Sequence, residues 1–318
     1  MKAVRYHSYG GSDVLVYEDA DRPVAGPGQV VVRVAGTAFN LLDAAIRAGL
    51  LRPVFPVALP HVPNYDLAGV ITEVGEGVRG WSVGDAVVAF LPPNAPGAAA
   101  EYVAAPAEAL AAAPRTVELA DAAALPSVGL AAWQALFEHA GLKTGQSVLI
   151  DGAGGAVGGY AVQLAAQAGA TVTATASARS HDRIRSYGAD RIIDYTAALV
   201  PQALAGQRFD VVLHLAPTSP DLTPTSPDET AQLVDLVADD GAFVSTTTPG
   251  PEYAGRGVRT VRVFTRSDAT QLAELVTRVD AGDLKINVAE RRPLTDLAAV
   301  HDLAAAGRLS GKTVLTPA

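Results

Sequence analysis

Glycines cluster in the segment from Gln146 to Gly169, and their spacing suits the binding of a dinucleotide. A short apolar run at 147–151 is typical of a buried strand, and apolar residues recur at helical spacing after the glycines. Glycines let the backbone approach a pyrophosphate, and a helix N-terminus stabilises its negative charge. A plain turn between strand and helix is the alternative. Because strand, turn and helix follow in the required order, the sequence predicts a pyrophosphate site made by Gly152, Gly154, Gly155, Ala156, Val157 and Gly158.

The residues after the next strand bear on which dinucleotide is bound. A site for NADH normally places an acidic residue there, which accepts a hydrogen bond from the ribose 2′-hydroxyl. In this chain Ser177 and Arg179 occupy that stretch, and the first acid is Asp182. A guanidinium matches the geometry of a phosphate group. The sequence therefore favours NADPH, with Ser177 and Arg179 at the 2′-phosphate; a solvated turn with an incidental arginine is the alternative.

Composition excludes several classes of function. The chain has 318 residues, a formal net charge of −9 and no cysteine. Dispersed acidic charge gives nothing that would attract nucleic acid or anionic lipid. Without cysteine there is no disulfide, no thiolate zinc site and no cysteine nucleophile. The apolar stretches are too short and too often interrupted by charge to span a membrane, and the first residues lack a signal peptide, so we expect a cytoplasmic protein.

The kind of secondary structure that the sequence predicts changes along the chain. Up to about residue 118 the pattern alternates in strand fashion, with turns at glycines and prolines, and it predicts a small β-barrel with helical inserts. From Asp121 a helical period runs to Gly141, and Pro126 is a point at which this helix would kink or split. Strands and helices then alternate, which predicts a doubly wound parallel sheet. The last strand, Lys312–Leu315, is expected to return to the first domain.

The chain resembles the medium-chain dehydrogenase/reductase superfamily, and within it the zinc-independent quinone oxidoreductase branch. The resemblance covers essentially the whole length, and the order and spacing of the matching segments make it specific. Beside the glycine loop, these segments include F-N-L-L-D-A-A-I-R-A-G at 39–49, V-P-N-Y-D-L-A-G-V at 62–70, A-A-W-Q-A-L at 131–136, Y-G-A-D-R-I-I-D-Y at 187–195 and G-R-L-S-G-K-T-V-L at 307–315.

The resemblance implies an α/β protein with two domains. A GroES-like β-barrel catalytic domain, formed by 1–119 and 266–318, would flank a Rossmann NADP-binding domain at 120–265. Zinc-dependent relatives carry cysteine at the position of Asn40, a His-Glu pair at Tyr65-Asp66 and a second cysteine near Ser127. The cysteine and histidine ligands are missing here, so we expect no metal.

The resemblance also implies catalytic residues. Asn40 is expected near the nicotinamide, where it would hydrogen-bond the substrate oxygen; capping the helix that starts there is its alternative role. Asp43 is expected to tie that helix to the barrel. Ala45 replaces a tyrosine common in relatives, which leaves Tyr65 as a substitute proton donor or as a buried packing residue. Water is the other source of the proton.

Further cofactor contacts follow from the resemblance. Tyr195 and Arg308 are expected to lie by the adenosine ribose phosphate. The ends of the fourth and fifth strands of the parallel sheet are expected to border the nicotinamide, through Leu215, Ala216, Ser245 and Thr246. His214 stands where many relatives have aspartate, and we give it no role in proton transfer.

Hydride transfer from NADPH to a quinone or another activated carbonyl acceptor is the function that these residues favour, because the cofactor supplies the difficult chemistry. An enoyl or alkenal double-bond reductase, for example of secondary metabolism, is the alternative. An NADPH-binding sensor or structural protein with little turnover is a third hypothesis. We also expect a homodimer joined through the edge strand at 258–265.

Overall fold

Strands and helices divide the chain between two units. The computed structural model describes residues 1–216, 227–248, 250–251 and 256–317. Its contacts separate Met1–Ser127 with Ser267–Ala318, here the outer unit, from Val128–Arg266, the inner unit. The domain boundaries expected from the sequence, 119/120 and 265/266, lie near these borders. That the outer unit is the catalytic domain and the inner unit the NADP-binding domain stays a prediction.

Fifteen strands are described. In chain order they are β1 (Lys2–Tyr6), β2 (Leu15–Asp19), β3 (Gln29–Ala38), β4 (Asp66–Val74), β5 (Ala86–Phe90), β6 (Tyr102–Pro106), β7 (Leu110–Ala112), β8 (Ser147–Asp151), β9 (Thr171–Thr175), β10 (Arg191–Ile193), β11 (Phe209–His214), β12 (Val237–Ser245), β13 (Arg259–Arg262), β14 (Glu290–Pro293) and β15 (Thr313–Thr316).

The α-helices connect or flank these strands. They are α1 (Leu41–Arg47), α2 (Pro126–Trp133), α3 (Ala156–Gln167), α4 (Ala178–Ser186), α5 (Val200–Ala203), α6 (Pro227–Val234), α7 (Ala269–Asp280) and α8 (Leu297–Ala305). In the part of the chain that the structure describes, no helix is both long enough and apolar enough to cross a membrane.

The outer unit is built on a mainly antiparallel sheet of order β14-β15-β3-β4-β5-β7, with β6 paired to β3. β3 is its central strand, and Val30, Val31 and Val32 are all fully buried. A run of β-branched residues suits a strand that is covered on both faces. β15 pairs with the end of β3, Val314 opposite Ala38, so the C-terminal segment returns to the first domain, as predicted.

The inner unit contains a six-stranded sheet in which every pair of neighbouring strands is parallel, in the order β10-β9-β8-β11-β12-β13. Numbered from β8, this order is 3-2-1-4-5-6, that of a Rossmann sheet. The prediction of a doubly wound parallel sheet is confirmed. The order reverses between β8 and β11, so the carboxyl ends of these two strands mark the crevice where such sheets bind ligands.

The helix expected from Asp121 is split at Pro126, one of the two outcomes that the sequence allowed there. It consists of a 3-10 turn at Asp121–Ala124, α2, and a π-helical segment at Gln134–His139. Pro126 begins α2 because it has no N–H to donate within a continuous helix. The sequence also predicts a strand at 98–103, whereas the structure places this strand at β6, because residues 99 and 100 pair with β1 in an isolated bridge.

Candidate active site

Gly152 forms the turn after β8 and requires a glycine on two grounds. Its φ is +89°, in the left-handed region that side chains avoid. A Cβ at this position would lie 2.6 Å from the Ala216 backbone nitrogen and 2.9 Å from the Leu215 carbonyl carbon. The turn after β8 therefore packs directly on the backbone that leaves β11, at the switch point of the sheet.

The other glycines of the loop bring α3 close to this turn. A Cβ on Gly158 would lie 2.4 Å from the Gly152 carbonyl oxygen, and one on Gly154 would lie 3.0 Å from Ser180 Oγ. Gly155 is the exposed N-cap residue of α3 and makes no side-chain cap. Ala156 and Val157, both half-buried, form the first turn. We call the loop and first helical turn at 152–158 the glycine cradle. Because N–H groups at a helix start lack helical partners, the glycine cradle fits the pyrophosphate of a nicotinamide dinucleotide.

Side chains from three neighbouring strand ends hold the turn in place. The Gly152 N–H donates to Thr175 Oγ1 over 2.8 Å, and Thr175 donates to Asp151 Oδ1 over 2.8 Å. Asp151 Oδ2 lies 2.7 Å from His214 Nδ1. Asp151 and Thr175 were not among the residues expected at this site; their signal was only that Asp151 ends a predicted strand and Thr175 lies near the end of the next one. His214 acts here as a buried partner of Asp151.

The residues expected at the 2′-phosphate lie at the ends of β9 and β10, which are adjacent strands. The Ala176 N–H bonds the Ile193 carbonyl over 3.0 Å, which places the two strand ends side by side. Ser177 is the half-buried N-cap residue of α4 and makes no side-chain cap, whereas Arg179 in its first turn and Tyr195 after β10 are exposed.

A second arginine supports the glycine loop from α4. Arg183 Nη2 donates to the Gly154 carbonyl over 2.7 Å, and its guanidinium lies over the Tyr187 ring. This residue was not among those expected at the site. Its signal was its place on α4, one helical turn beyond Arg179.

The residues expected at the nicotinamide also come together. β11 and β12 end side by side, with His214 opposite Ser245. Leu215, Ala216 and Thr246 are half-buried at this edge, and the buried Ser245 Oγ accepts from two backbone N–H groups of its own turn. Leu215 and Ala216 are also the residues on which Gly152 packs. Arg308 lies in the outer unit, exposed between α8 and β15, and its contact with the cofactor stays a prediction.

In the outer unit, four polar residues from distant parts of the sequence form one buried cluster. Lys312 Nζ lies 2.8 Å from Asp66 Oδ2 and 2.6 Å from Asn40 Oδ1. Ser127 donates to Asp66 twice, from N–H over 2.7 Å and from Oγ over 2.8 Å. We call Asn40, Asp66, Ser127 and Lys312 the lysine cluster. Three of them occupy the positions that the resemblance aligns with zinc ligands.

Asn40 is the N-cap residue of α1, but its side chain serves the lysine cluster. Asn40 Nδ2 donates to Asp66 Oδ2 over 2.9 Å. At the start of the helix, Asp43 Oδ2 accepts from the Asn40 N–H over 2.7 Å. Burial raises the pKa of Asp43 to about 8, and the nearby Asp66 acts in the same direction. The expected role of Asp43 in tying α1 to the barrel stays a prediction.

Tyr65 is almost fully buried, and its hydroxyl lies 3.0 Å from His61 Nε2. Burial raises the pKa of this hydroxyl above its usual range and lowers that of His61 to about 4. Tyr65 therefore holds its proton, and a neutral His61 is its partner. This environment favours packing over proton donation; direct catalysis by Tyr65 stays a prediction without support from geometry.

A parallel sheet with a glycine cradle at its switch point, together with a separate antiparallel unit, defines a dinucleotide-dependent oxidoreductase of the medium-chain type. Residues 26–115 match the model of the alcohol dehydrogenase GroES-like domain, and residues 187–315 that of a zinc-binding dehydrogenase. Among the described residues, no group of three or more His, Cys, Asp or Glu could hold a metal ion.

Similarity to known proteins gives the family. A chloroplast envelope quinone oxidoreductase homolog from Arabidopsis thaliana is 34% identical over 337 residues, covering 100% of this chain and 98% of that protein. A chloroplastic NADPH-dependent alkenal/one oxidoreductase of the same plant is 38% identical over 205 residues, covering 62% and 53%. The solved quinone oxidoreductase of Coxiella burnetii matches with a TM-score of 0.86 at 28% identity, covering 100% and 99%.

The chain belongs to the medium-chain dehydrogenase/reductase superfamily, in the quinone oxidoreductase branch. The prediction of the family and fold is confirmed. The protein is an oxidoreductase that uses a nicotinamide cofactor.

Proposed function

We propose that this protein catalyses zinc-independent hydride transfer from NADPH to a quinone or another activated carbonyl acceptor. The observation that carries the proposal is the glycine cradle at the switch point, with Ser177 and Arg179 at the end of the adjacent strand. Reduced nicotinamide supplies the hydride when it is bound. The protein contributes binding, orientation and a surrounding from which water is excluded.

The choice of NADPH rests on the electrostatics at the end of β9. The first acidic residue after this strand is Asp182, so no carboxylate precedes it to accept from a ribose hydroxyl. Arg179 is exposed, and no hydrogen bond or ion pair joins its side chain to another residue of the described chain. It is free to meet a phosphate. A relative named as NADPH-dependent supports the same choice.

Replacement of Arg179 tests the cofactor preference. We expect Arg179→Ala to reduce the preference for NADPH over NADH by roughly 10- to 100-fold, since a hydrogen bond to a charged group contributes about 1.5–3 kcal/mol. Arg185→Ala, at an exposed arginine later on α4, is the matched control. Equal affinity of the wild type for both cofactors, or an unchanged preference in Arg179→Ala, would contradict the assignment.

Turnover tests the reaction. NADPH oxidation by the purified protein should be followed by absorbance with a panel of quinones, enones and aldehydes. We expect consumption with quinones and with acceptors whose carbonyl is conjugated, because these accept hydride without a Lewis acid. Oxidation of simple alcohols would contradict the proposal.

Double-bond reduction is the second candidate function. It is favoured by the similarity to an alkenal/one oxidoreductase. Product analysis separates the two, since enone reduction yields the saturated carbonyl compound and quinone reduction yields the quinol. Tight NADPH binding with no turnover on any acceptor would favour the third candidate, a sensor or structural protein.

Assembly and location complete the proposal. β13 is the last strand in the order of the parallel sheet, and an open strand edge invites pairing with a second copy. We expect a homodimer, and sedimentation that shows only monomer at working concentration would remove this part. Fractionation of source cells tests the expected cytoplasmic location, and a membrane or organelle fraction would contradict it.

A further inference from the structure

Lys312 places a positive charge inside the outer unit. The residue is 5% exposed, and lysine is rarely buried unless it is paired. Its ammonium group donates to Asp66 Oδ2, to Asn40 Oδ1 and, over 3.4 Å, to the Phe39 carbonyl. The Asp66 side chain is itself fully buried. The pair is therefore shielded from solvent. Inside the protein a charge acts more strongly on its neighbours than it would in water.

This charge selects one orientation of the Asn40 amide. Oδ1 accepts from Lys312 Nζ, while Nδ2 donates to Asp66 Oδ2. A flipped amide would place its NH₂ group against the ammonium, donor against donor, and its oxygen against the carboxylate. Both the Lys312 ammonium and the Asp66 carboxylate disfavour the flipped amide. Without Lys312, only the carboxylate does so.

The amide keeps one hydrogen that the protein uses weakly. The remaining contact of Asn40 Nδ2, to the Ala38 carbonyl, is 3.5 Å long, at the outer limit of a hydrogen bond. Asn40 is half-buried, whereas the other three members of the lysine cluster are buried. A cation bonded to Oδ1 draws electron density from the amide and strengthens its N–H groups as donors.

We infer that Lys312 is a positioning residue, which holds and polarises the Asn40 amide so that its second N–H stabilises the acceptor oxygen. The inference rests on the proposed function. As hydride adds to carbon, the electron pair of the acceptor moves to that oxygen, and the charge is lost when a proton arrives from water. The N–H donor acts on the charge that develops before this protonation.

Single-turnover kinetics test the inference. Enzyme loaded with NADPH is mixed with saturating acceptor, and the amplitude reports the active fraction while the rate constant reports hydride transfer. We expect Lys312→Met to lower the rate constant roughly 10- to 100-fold, somewhat less than the loss of a direct oxyanion donor. The NADPH dissociation constant should change less than about two-fold, because the change leaves the glycine cradle intact. Lys143→Met, at an exposed lysine of the inner unit, should match wild type.

Lys312→Met leaves Asp66 unpaired, so a second variant guards against unfolding. Asp66→Asn/Lys312→Met removes both charges together and keeps the amide and hydroxyl contacts available. The same fall in rate constant in the double variant supports the inference. A second supporting result is recovery of the rate constant when n-propylammonium is added to Lys312→Ala.

Two results would overturn the inference, and they are distinguishable. If wild type transfers hydride and the Lys312 variants lose only amplitude, Lys312 is structural and the proposed function stands. If wild type reduces no acceptor, the proposed function is wrong, and the inference, which depends on it, is wrong as well.

Discussion

The glycine cradle and the lysine cluster solve the problem of placing polar groups in opposite ways. The cradle is made of backbone, and its close contacts are possible because side chains are missing at Gly152 and Gly158. The lysine cluster is made of side chains from four segments of the chain. Asn40 follows β3, Asp66 begins β4, Ser127 lies in the first turn of α2, and Lys312 precedes β15. One site is encoded in a short stretch of sequence and the other in the packing of the outer unit.

The two sites also differ in how they respond to damage. The glycine cradle leaves backbone N–H groups open for an anion. A substitution that adds side-chain atoms there is therefore expected to weaken cofactor binding. In the lysine cluster every oxygen of the Asp66 carboxylate is bonded, and the charges balance in a buried place. Removal of one charge from this pair leaves the other charge buried without a partner, which lowers the free energy of unfolding.

Asp66→Asn is expected to give the largest loss of stability. It leaves the Lys312 ammonium buried without a counter-charge, which costs about 3–5 kcal/mol. Urea unfolding measures the free-energy difference. The control is Asp19→Asn, which breaks an ion pair with Lys2 whose side chains are 44% (Lys2) and 82% (Asp19) exposed; we expect about 0–1 kcal/mol there. Similar losses in both variants would remove the distinction between the buried and exposed pairs.

Gly152→Ala tests the steric side of the comparison. The alanine would have to adopt a positive φ, at a cost of about 1–2 kcal/mol, and its Cβ would collide with the backbone after β11. We expect the affinity for NADPH, measured by titration of cofactor fluorescence, to fall by more than about 10-fold, because each 1.4 kcal/mol is a factor of ten.

Gly145→Ala is the matched control for that change. Gly145 has a φ of +83°, and a Cβ there would meet nothing within 4 Å. It shares the backbone cost of Gly152→Ala without the collision. We expect its cofactor affinity to stay near wild type. Equal losses in the two variants would show that backbone strain, and not close approach at the switch point, governs the cradle.

Asp43→Asn is expected to give the smallest effect, visible as a pH dependence. The pKa of Asp43 is raised from 3.8 to about 8 in the folded protein. The unfolded chain therefore releases this proton first, and the stabilisation present below about pH 4 is lost as pH rises towards 8. The amide of the substituted asparagine cannot ionise, so the variant should lose less stability across this range.

Melting temperatures of wild type and Asp43→Asn from pH 4 to pH 8 test this expectation. Buried His61 and His301, whose pKa values are lowered to about 4 and about 3, act in the opposite sense and destabilise the fold as pH falls below about 6.5. They are present in both proteins, so the difference between the two curves isolates Asp43. Parallel curves would contradict the raised pKa.

Local patterns in the sequence were enough to predict much of the inner unit. The glycine loop is bounded by a strand and a helix that follow each other directly in the chain. The helical pattern at 269–280 likewise predicts α7 of the outer unit at the residues where it lies. For the helix expected from Asp121, the sequence left a kink and a split at Pro126 both open, and the structure shows the split. Asn40 was recognised as a candidate, but the bonds of its side chain to Lys312 and Asp66 were not foreseen.

The glycine cradle, the parallel sheet and the absence of cysteine ligands could be predicted from the sequence, because they depend on residue type and on neighbours along the chain. Tertiary structure decided the partners of Asn40 and the burial of Tyr65. Asn40, Asp66, Ser127 and Lys312 are separated by as many as 272 positions, and no local period links them. Only the pairing of β15 with β3 and of β3 with β4 brings a lysine ammonium to a buried carboxylate and an asparagine amide.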